Sequence, residues 1–279
     1  MHAIHRATFA CLIALLEVAA WPGGVRAESE DEHKQACTNP DLRSRVVGNK
    51  FCFAIHTYGS QTAGPSPTLV VVLHGDTSSG GPTSTQYRIA KAVATNGVVG
   101  VGLIRPGYYD SEERSSDGSQ NRTDNYTPEN VDAIADAVKK LKDRHKATQT
   151  VLIGHSGGAA ISGVILGRHP GLADRALLIA CNCDVRRWRD EVRRMQWSSL
   201  SPSDHVAKVP TTAKVIAITG DRDDTAHPGL ARDYVAALQA RGIKAKFMTM
   251  PGAGHNINDR MRATAEYAQA IKDIVAGNF

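Results

Sequence analysis

The run Thr150-Val151-Leu152-Ile153-Gly154-His155-Ser156-Gly157-Gly158 constrains the fold more tightly than any other stretch of the chain. Three consecutive branched aliphatic side chains ahead of a glycine read as a buried strand, and residues 159–166 read as a buried helix with small residues on its first turn. A strand that becomes a helix within a few residues needs glycine where the two elements press together. The spacing Gly154-x-Ser156-x-Gly158 meets that need and holds a serine hydroxyl out at the strand end. In a chain with 25 glycines the pentapeptide is only moderately specific, so its meaning depends on what else reaches the same place.

The surrounding pattern supplies a frame. Residues 68–73 form a second continuous apolar run, as expected of a parallel strand covered on both faces, and end in His74-Gly75-Asp76. Further strands are expected at 51–57, at or near a sheet edge, and at 98–104, 176–180, 215–219 and 245–250. Helices are expected at 87–95, 231–240 and 259–275. The clearest begins at Thr127 as N-cap with Pro128 in the first helical position, followed by Val131, Ile134, Ala135, Val138 and Leu141 on one stripe. Residues 28–36 are polar and read as a flexible lead-in, and 105–126 as a long polar loop. Strand–helix alternation of this kind implies the α/β class: one mostly parallel sheet with helices on both faces. At 279 residues and 42% hydrophobic, the chain can bury one such core, so 28–279 is expected to be a single domain, with 184–205 as a small cap segment.

The N-terminus reads as a processing signal over 1–27. His5 and Arg6 precede an apolar run at 7–16, and Val25-Arg26-Ala27 offers a small-x-small cleavage site. The run is too short to span a bilayer and Glu17 interrupts it, so export to the periplasm or medium is expected, without stable membrane insertion. Cys37, Cys52, Cys181 and Cys183 would then meet an oxidising compartment. A Cys37–Cys52 bridge would staple the N-terminal segment to the first strand. For Cys181 and Cys183 a tight bridge and two free thiols both stay open. No second Cys/His pair stands at zinc-ligand spacing, so no metal is expected. The net charge of +5 comes from basic residues spread along the chain, which argues against a nucleic-acid partner.

In open parallel sheets, active groups gather at the carboxyl ends of the strands. Ser156, His74-Gly75-Asp76, Asp223 and His255 all fall there. A serine hydroxyl needs a base to take its proton, and the base needs an orienting carboxylate. Gly220-Asp221-Arg222-Asp223-Asp224 follows one strand and Gly252-Ala253-Gly254-His255-Asn256 follows the next, so the order is Ser, Asp, His. In these residues the chain resembles the α/β-hydrolase-fold serine hydrolases over essentially its whole mature length. From about Ser201 onward, through Ser201-Pro202-Ser203-Asp204 and the two strand-end segments, it is similar to the catalytic domain of the prolyl oligopeptidase family.

That resemblance implies Ser156 as nucleophile, His255 as base and Asp223 as acid, the third residue after the strand-end glycine, with Asp224 as runner-up; Asp221 reads as salt-bridging or capping the turn. It assigns one oxyanion donor to the Gly157 N–H and the second to the loop after 68–73, through the N–H of Asp76 or, alternatively, of Gly75. The Asp76 carboxylate must then turn away from the oxyanion or repel it. His155 is expected to point away from the nucleophile into the sheet's surroundings, and His227 to be a loop residue near the acid. Tyr108 and Tyr109 sit at another strand end, and Trp188 lies in the arginine-rich stretch 186–197. All three are candidate substrate contacts, though the tyrosines read equally as loop aromatics, and a charge run like 186–197 is more often simply a solvated helix face. The expected activity is hydrolysis of carboxylic esters through an acyl-enzyme, without cofactor. A prolyl-oligopeptidase-type peptidase acting on short peptides is the alternative, and an inactive binding protein on the same fold is the reading from another class.

Overall fold

The computed structural model describes residues 28–77, 81–119, 122, 125–190 and 199–279, so the expected signal segment lies outside the described residues. Eight strands form one sheet: β1 (Arg45–Gly48), β2 (Phe51–Tyr58), β3 (Thr68–Leu73), β4 (Val98–Leu103), β5 (Gln149–His155), β6 (Arg175–Ile179), β7 (Lys214–Gly220) and β8 (Lys244–Met250). Their order is β1-β2-β4-β3-β5-β6-β7-β8. The β1–β2 and β2–β4 pairs are antiparallel, and every pair from β4 onward is parallel. This is the α/β-hydrolase arrangement. Register decides what meets at the top of the sheet. Leu73 pairs with Leu103 on one side and Gly154 on the other, so β4, β3 and β5 end level and the loops after them emerge together.

Strand alternation sorts the core into two faces. Val70, Val72, Val151 and Ile153 pack with Ile89 and Val93 of α2 (Thr85–Val93) and with Ile274 of α8 (Ala265–Ala276). Leu69, Val71, Leu73 and Leu152 face Ile134 and Val138 of α3 (Pro128–His145), Val164 of α4 (Gly157–Arg168) and Leu238 of α6 (Pro228–Ala240). Each such side chain, fully buried, contributes about 1.5–3 kcal/mol relative to exposure. Thr127 is the N-cap of α3, its side chain accepting from the Asn130 N–H, with Pro128 opening the helix. Among the described residues no helix is long and apolar enough to cross a membrane.

The structure corrects two expectations. Residues 28–36 are not a loose lead-in: α1 (Glu30–Thr38) starts with a Ser29–Glu32 capping box, which supplies two orphan N–H groups with acceptors. The helix is fastened by the Cys37–Cys52 disulfide and by His33, whose Nε2 lies 2.8 Å from Asp117 Oδ1. The C-terminal helix is two, α7 (Asp259–Arg262) and α8, because Thr264 caps the second by accepting from the Tyr267 N–H. Of the expected cap at 184–205, residues 191–198 lie outside the described residues. The rest begins with α5 (Val185–Trp188) and runs into a 3-10 helix, Pro202–Lys208. There Pro202 and His205 lie against Gly163 and Gly167, along the flank of α4.

Candidate active site

Ser156 sits between β5 and α4 with φ 50° and ψ −117°, a conformation that costs a non-glycine residue about 1–3 kcal/mol. Its backbone is held from both sides. Its N–H donates to the Ile179 carbonyl at 2.9 Å, and its own carbonyl accepts from Ala159 and Ala160 at 2.9 and 3.0 Å. The motif glycines are obligatory: a Cβ on Gly154 would stand 2.3 Å from the Gly158 carbonyl oxygen, and one on Gly158 would stand 2.4 Å from that of Leu73.

The three strand ends deliver a continuous hydrogen-bonded line. His255 Nε2 is 2.9 Å from Ser156 Oγ, and His255 Nδ1 is 3.0 Å from each carboxylate oxygen of Asp223. Asp223 is buried, and its Oδ1 also accepts from the Thr225 and Ala226 N–H groups at 3.0 and 2.8 Å, so its orientation is set before the histidine arrives. Asp224 is exposed and reaches Thr225 Oγ1 at 3.4 Å. Asp221 accepts from the Gly252 N–H at 2.8 Å, tying the acid turn to the histidine turn. His227 caps α6 by accepting from the Gly229 N–H.

Three side chains lie elsewhere than expected. His155 does not point into the sheet's surroundings. Its alternation places it on the α2/α8 side, where the His255 loop crosses, and its Nε2 meets the His255 carbonyl at 2.8 Å. Burial, then the neighbouring His255 charge, lowers its pKa to about 4, so the ring is neutral and Nε2–H is the donor. Trp188 is buried, and its Nε1–H donates to the Thr225 carbonyl at 2.6 Å, bracing the acid loop instead of lying on a solvated helix face. Tyr108 is buried behind the loop after β3, its hydroxyl 3.2 Å from Asp76 Oδ1. Tyr109 stays partly exposed, with the Arg122 guanidinium 5.7 Å from its ring centroid.

Among the described residues, neither the Asp76 N–H nor the Gly157 N–H donates to a protein acceptor. Around them is a buried network that the sequence reading missed. The Asp76 carboxylate accepts from Arg105 Nη1 at 2.8 Å and from the Tyr126 hydroxyl at 2.5 Å. Burial pushes its pKa up, but the Arg105 guanidinium and the Tyr126 hydroxyl outweigh that and hold it below the usual carboxylate value. Arg105 also donates through its backbone N–H to His74 Nε2 at 2.9 Å and through Nη2 to Asn125 Oδ1 at 2.9 Å. The His74 Nε2 is therefore the acceptor and Nδ1 carries the proton, donated to the Gly75 carbonyl at 2.7 Å. Burial and the Arg105 charge lower the pKa of His74 to about 3. Asn182, between the bridged Cys181 and Cys183, lies 3.4 Å from the Tyr126 hydroxyl. The available signal was positional: Arg105 and Asn182 follow the ends of β4 and β6.

Two groups among the described residues gather metal-type ligands, and neither contains a residue of the serine site. His33 lies with Cys37 and Cys52, whose sulfurs are spent in the disulfide. His56 lies with Asp110 and Glu112, but the Asp110 carboxylate is taken by Tyr87 at 2.8 Å and Arg114 at 2.7 Å.

The prolyl oligopeptidase family model matches residues 111–273. Among solved structures, Est1E from Butyrivibrio proteoclasticus with ferulic acid bound aligns at a TM-score of 0.64 and 14% identity, covering 83% of this chain and 99% of that one. The esterase PF2001 of Pyrococcus furiosus aligns at 0.62 and 11% identity over 84% of this chain and 88% of that one. The acylaminoacyl peptidase of Pyrococcus horikoshii aligns at 0.60 and 13% identity over 83% of this chain but 41% of that one. At these identities the likeness is one of fold. Comparison with curated proteins returns no match.

Proposed function

The chain belongs to the prolyl oligopeptidase family and is a serine hydrolase, and we propose that it acts on carboxylic esters, with Ser156 as nucleophile, His255 as general base and Asp223 as the orienting carboxylate. The observation that carries this reading is the unbroken line from Asp223 through both ring nitrogens of His255 to Ser156 Oγ, with every link between 2.9 and 3.0 Å. As Oγ attacks the acyl carbon, its proton passes to Nε2, and Asp223 stabilises the imidazolium that forms. The carbonyl oxygen becomes an oxyanion between the N–H groups of Asp76 and Gly157, where each preorganised donor is worth about 2.7–4 kcal/mol. Collapse breaks the bond to the leaving alkoxide, which takes the proton from Nε2. Water, activated by the same nitrogen, then hydrolyses the acyl-enzyme.

One observation favours an ester over a peptide. Among the described residues, the two carboxylates that the site places beside its catalytic groups, Asp76 and Asp223, are both committed, to Arg105 and to His255. Neither is free to grip a peptide's amino terminus. The family's peptidase chemistry is the second reading.

Export goes with this function. Four cysteines outside 1–27 close into two disulfides, which suits a secreted or periplasmic enzyme. N-terminal sequencing of the native protein should begin at Glu28, and recovery of Met1 would refute export. The nucleophile is tested by a fluorophosphonate, which should label the wild type and leave Ser156→Ala unmodified. Labelling that survives the substitution would remove Ser156 from the role, and no labelling at all would favour an inactive binding protein.

A further inference from the structure

If the N–H groups of Asp76 and Gly157 receive the oxyanion, as proposed above, one of the two donors belongs to a residue with a carboxylate of its own. That carboxylate turns toward Gly157, with its side chain 23% exposed. A Cβ built on Gly157 would stand 2.6 Å from Asp76 Oδ1, 2.6 Å from the Tyr126 hydroxyl and 2.7 Å from Arg105 Nη1. A full negative charge is therefore packed against the Cα of the second donor. Two like unit charges about 5 Å apart, at an effective dielectric of about 20, would slow formation of the intermediate on the order of 100-fold.

Arg105 stands against that repulsion. It is fully buried between the rings of Tyr108 and Tyr126, with its guanidinium carbon 5.1 and 5.4 Å from their centroids. Its Nη1 donates both to Asp76 Oδ1 at 2.8 Å and to the His74 carbonyl at 3.2 Å. The first contact cancels the charge. The second, with the 2.9 Å bond from the Arg105 N–H to His74 Nε2, pins the backbone that leads into Gly75 and Asp76. Fold stability alone does not call for such a pair, because a buried ion pair is often no more stabilising than apolar side chains of the same volume.

We propose that Arg105 is a positioning residue for catalysis: it neutralises the Asp76 carboxylate and fixes the loop after β3, so that the Asp76 and Gly157 N–H groups meet the developing oxyanion without an opposing charge beside them. The charge matters only once negative charge has grown on the substrate oxygen, so its loss should fall on kcat and leave KM in place. A side chain that merely held the fold would show no such split, and would not be rescued by removing the partner's charge.

The test compares wild type, Arg105→Gln, Arg105→Lys and the double variant Asp76→Asn/Arg105→Gln, with p-nitrophenyl acetate as substrate and near-ultraviolet circular dichroism to verify the fold. Arg105→Gln should lower kcat about 100-fold with KM within about threefold of wild type. The double variant, with neither charge, should recover at least about tenfold of that loss. A folded Arg105→Gln enzyme with kcat within about threefold of wild type overturns the proposal, as does a folded double variant no faster than the single one. Should Arg105→Gln fail to fold, Arg105→Lys and the double variant decide, since both leave the pair without net charge. Each should then keep kcat within about tenfold of wild type, and a larger loss in either, when folded, overturns the role. Fluorophosphonate labelling of the wild type separates the two claims. A labelled wild type with an unaffected Arg105→Gln variant sinks this inference alone, whereas an unlabelled wild type sinks the hydrolase assignment of Ser156 as well.

Discussion

His155 donates its Nε2–H to the backbone carbonyl of His255 at 2.8 Å, so the residue beside the nucleophile holds the loop that carries the base. The two rings lie 5.2 Å apart, yet only one of them reaches Ser156 Oγ. Removing this contact should loosen the His255 loop without touching the substrate. A neutral hydrogen bond contributes about 0.5–1.5 kcal/mol net, so His155→Phe should lower kcat about 2- to 13-fold with KM little changed. His155→Gln keeps a donor and should retain more of the activity. Steady-state kinetics on one ester checks both, and an unaffected His155→Phe enzyme would make the contact incidental.

Burial of neutral histidines also sets an acid limit on stability. His155 and His74 have folded pKa values of about 4 and about 3, against an ordinary value of 6.5. Above pH 6.5 both are neutral whether the chain is folded or not, and they impose no pH dependence. As the pH falls below 6.5 the unfolded chain takes up protons that the folded one refuses, so stability is lost at up to about 1.4 kcal/mol per pH unit for each histidine. The loss should run to about pH 4 for His155 and about pH 3 for His74. His145 and His205, also lowered by burial, add in the same direction. Carboxylates such as Asp132, held low chiefly by Arg168, add a loss of their own only as the pH approaches and falls below the ordinary carboxylate value of 3.8. Urea unfolding at several pH values between 4 and 7 should show the slope, and His155→Gln should reduce it by one proton.

The assignment of the acid rests on geometry that a single comparison can check. Asp223 is buried and faces His255 Nδ1 with both oxygens, whereas Asp224 is exposed. Asp223→Asn would present an amide to Nδ1 and favour the wrong imidazole tautomer, so kcat should fall by about 10⁴-fold. Asp224→Asn should cost less than about threefold. The opposite ranking in kcat would move the role to Asp224.

How much of this could be read ahead of the fold depended on whether a residue's neighbours were close in sequence. The strands at 68–73 and 151–153 announced themselves as continuous apolar runs, and Ser156, Asp223 and His255 each stand beside the glycines of a strand end, where position implies exposure at the top of the sheet. Asp223 could be preferred to Asp224 only through the family pattern. The Asp76, Arg105, Tyr126 and Asn182 cluster gives no such signal. Its members are scattered along the chain, and only the order β4-β3-β5-β6 brings their loops together. Arg105 read as one more charged loop residue because nothing local says that its guanidinium is buried. α1 escaped for a different reason: it buries no residue, so it has no apolar stripe, and it is held by a capping box, a disulfide and His33.

The choice between ester and peptide turns on the second half of the reaction. When the tetrahedral intermediate collapses, an alkoxide can leave as His255 protonates it, but an amine cannot leave until its nitrogen has already been protonated in place. Peptidases therefore grip the chain on both sides of the scissile bond, so that binding energy keeps that nitrogen within reach of the base. Here Nε2 is aimed at Ser156 Oγ at 2.9 Å, which serves either chemistry, but among the described residues the site's carboxylates Asp76 and Asp223 are both engaged, by Arg105 and by His255. A substrate would then be held mainly by its acyl side and carbonyl. We expect unactivated esters to be hydrolysed with kcat/KM at least about 100-fold above amides of the same acyl group, a difference of about 2.7 kcal/mol in barrier. Nitrophenyl esters are uninformative here, because their leaving group departs without help. A matched series of alkyl esters and amides, with prolyl and other peptide substrates alongside, makes the comparison. Peptide cleavage as fast as the best alkyl ester would assign the site to the family's peptidase chemistry instead.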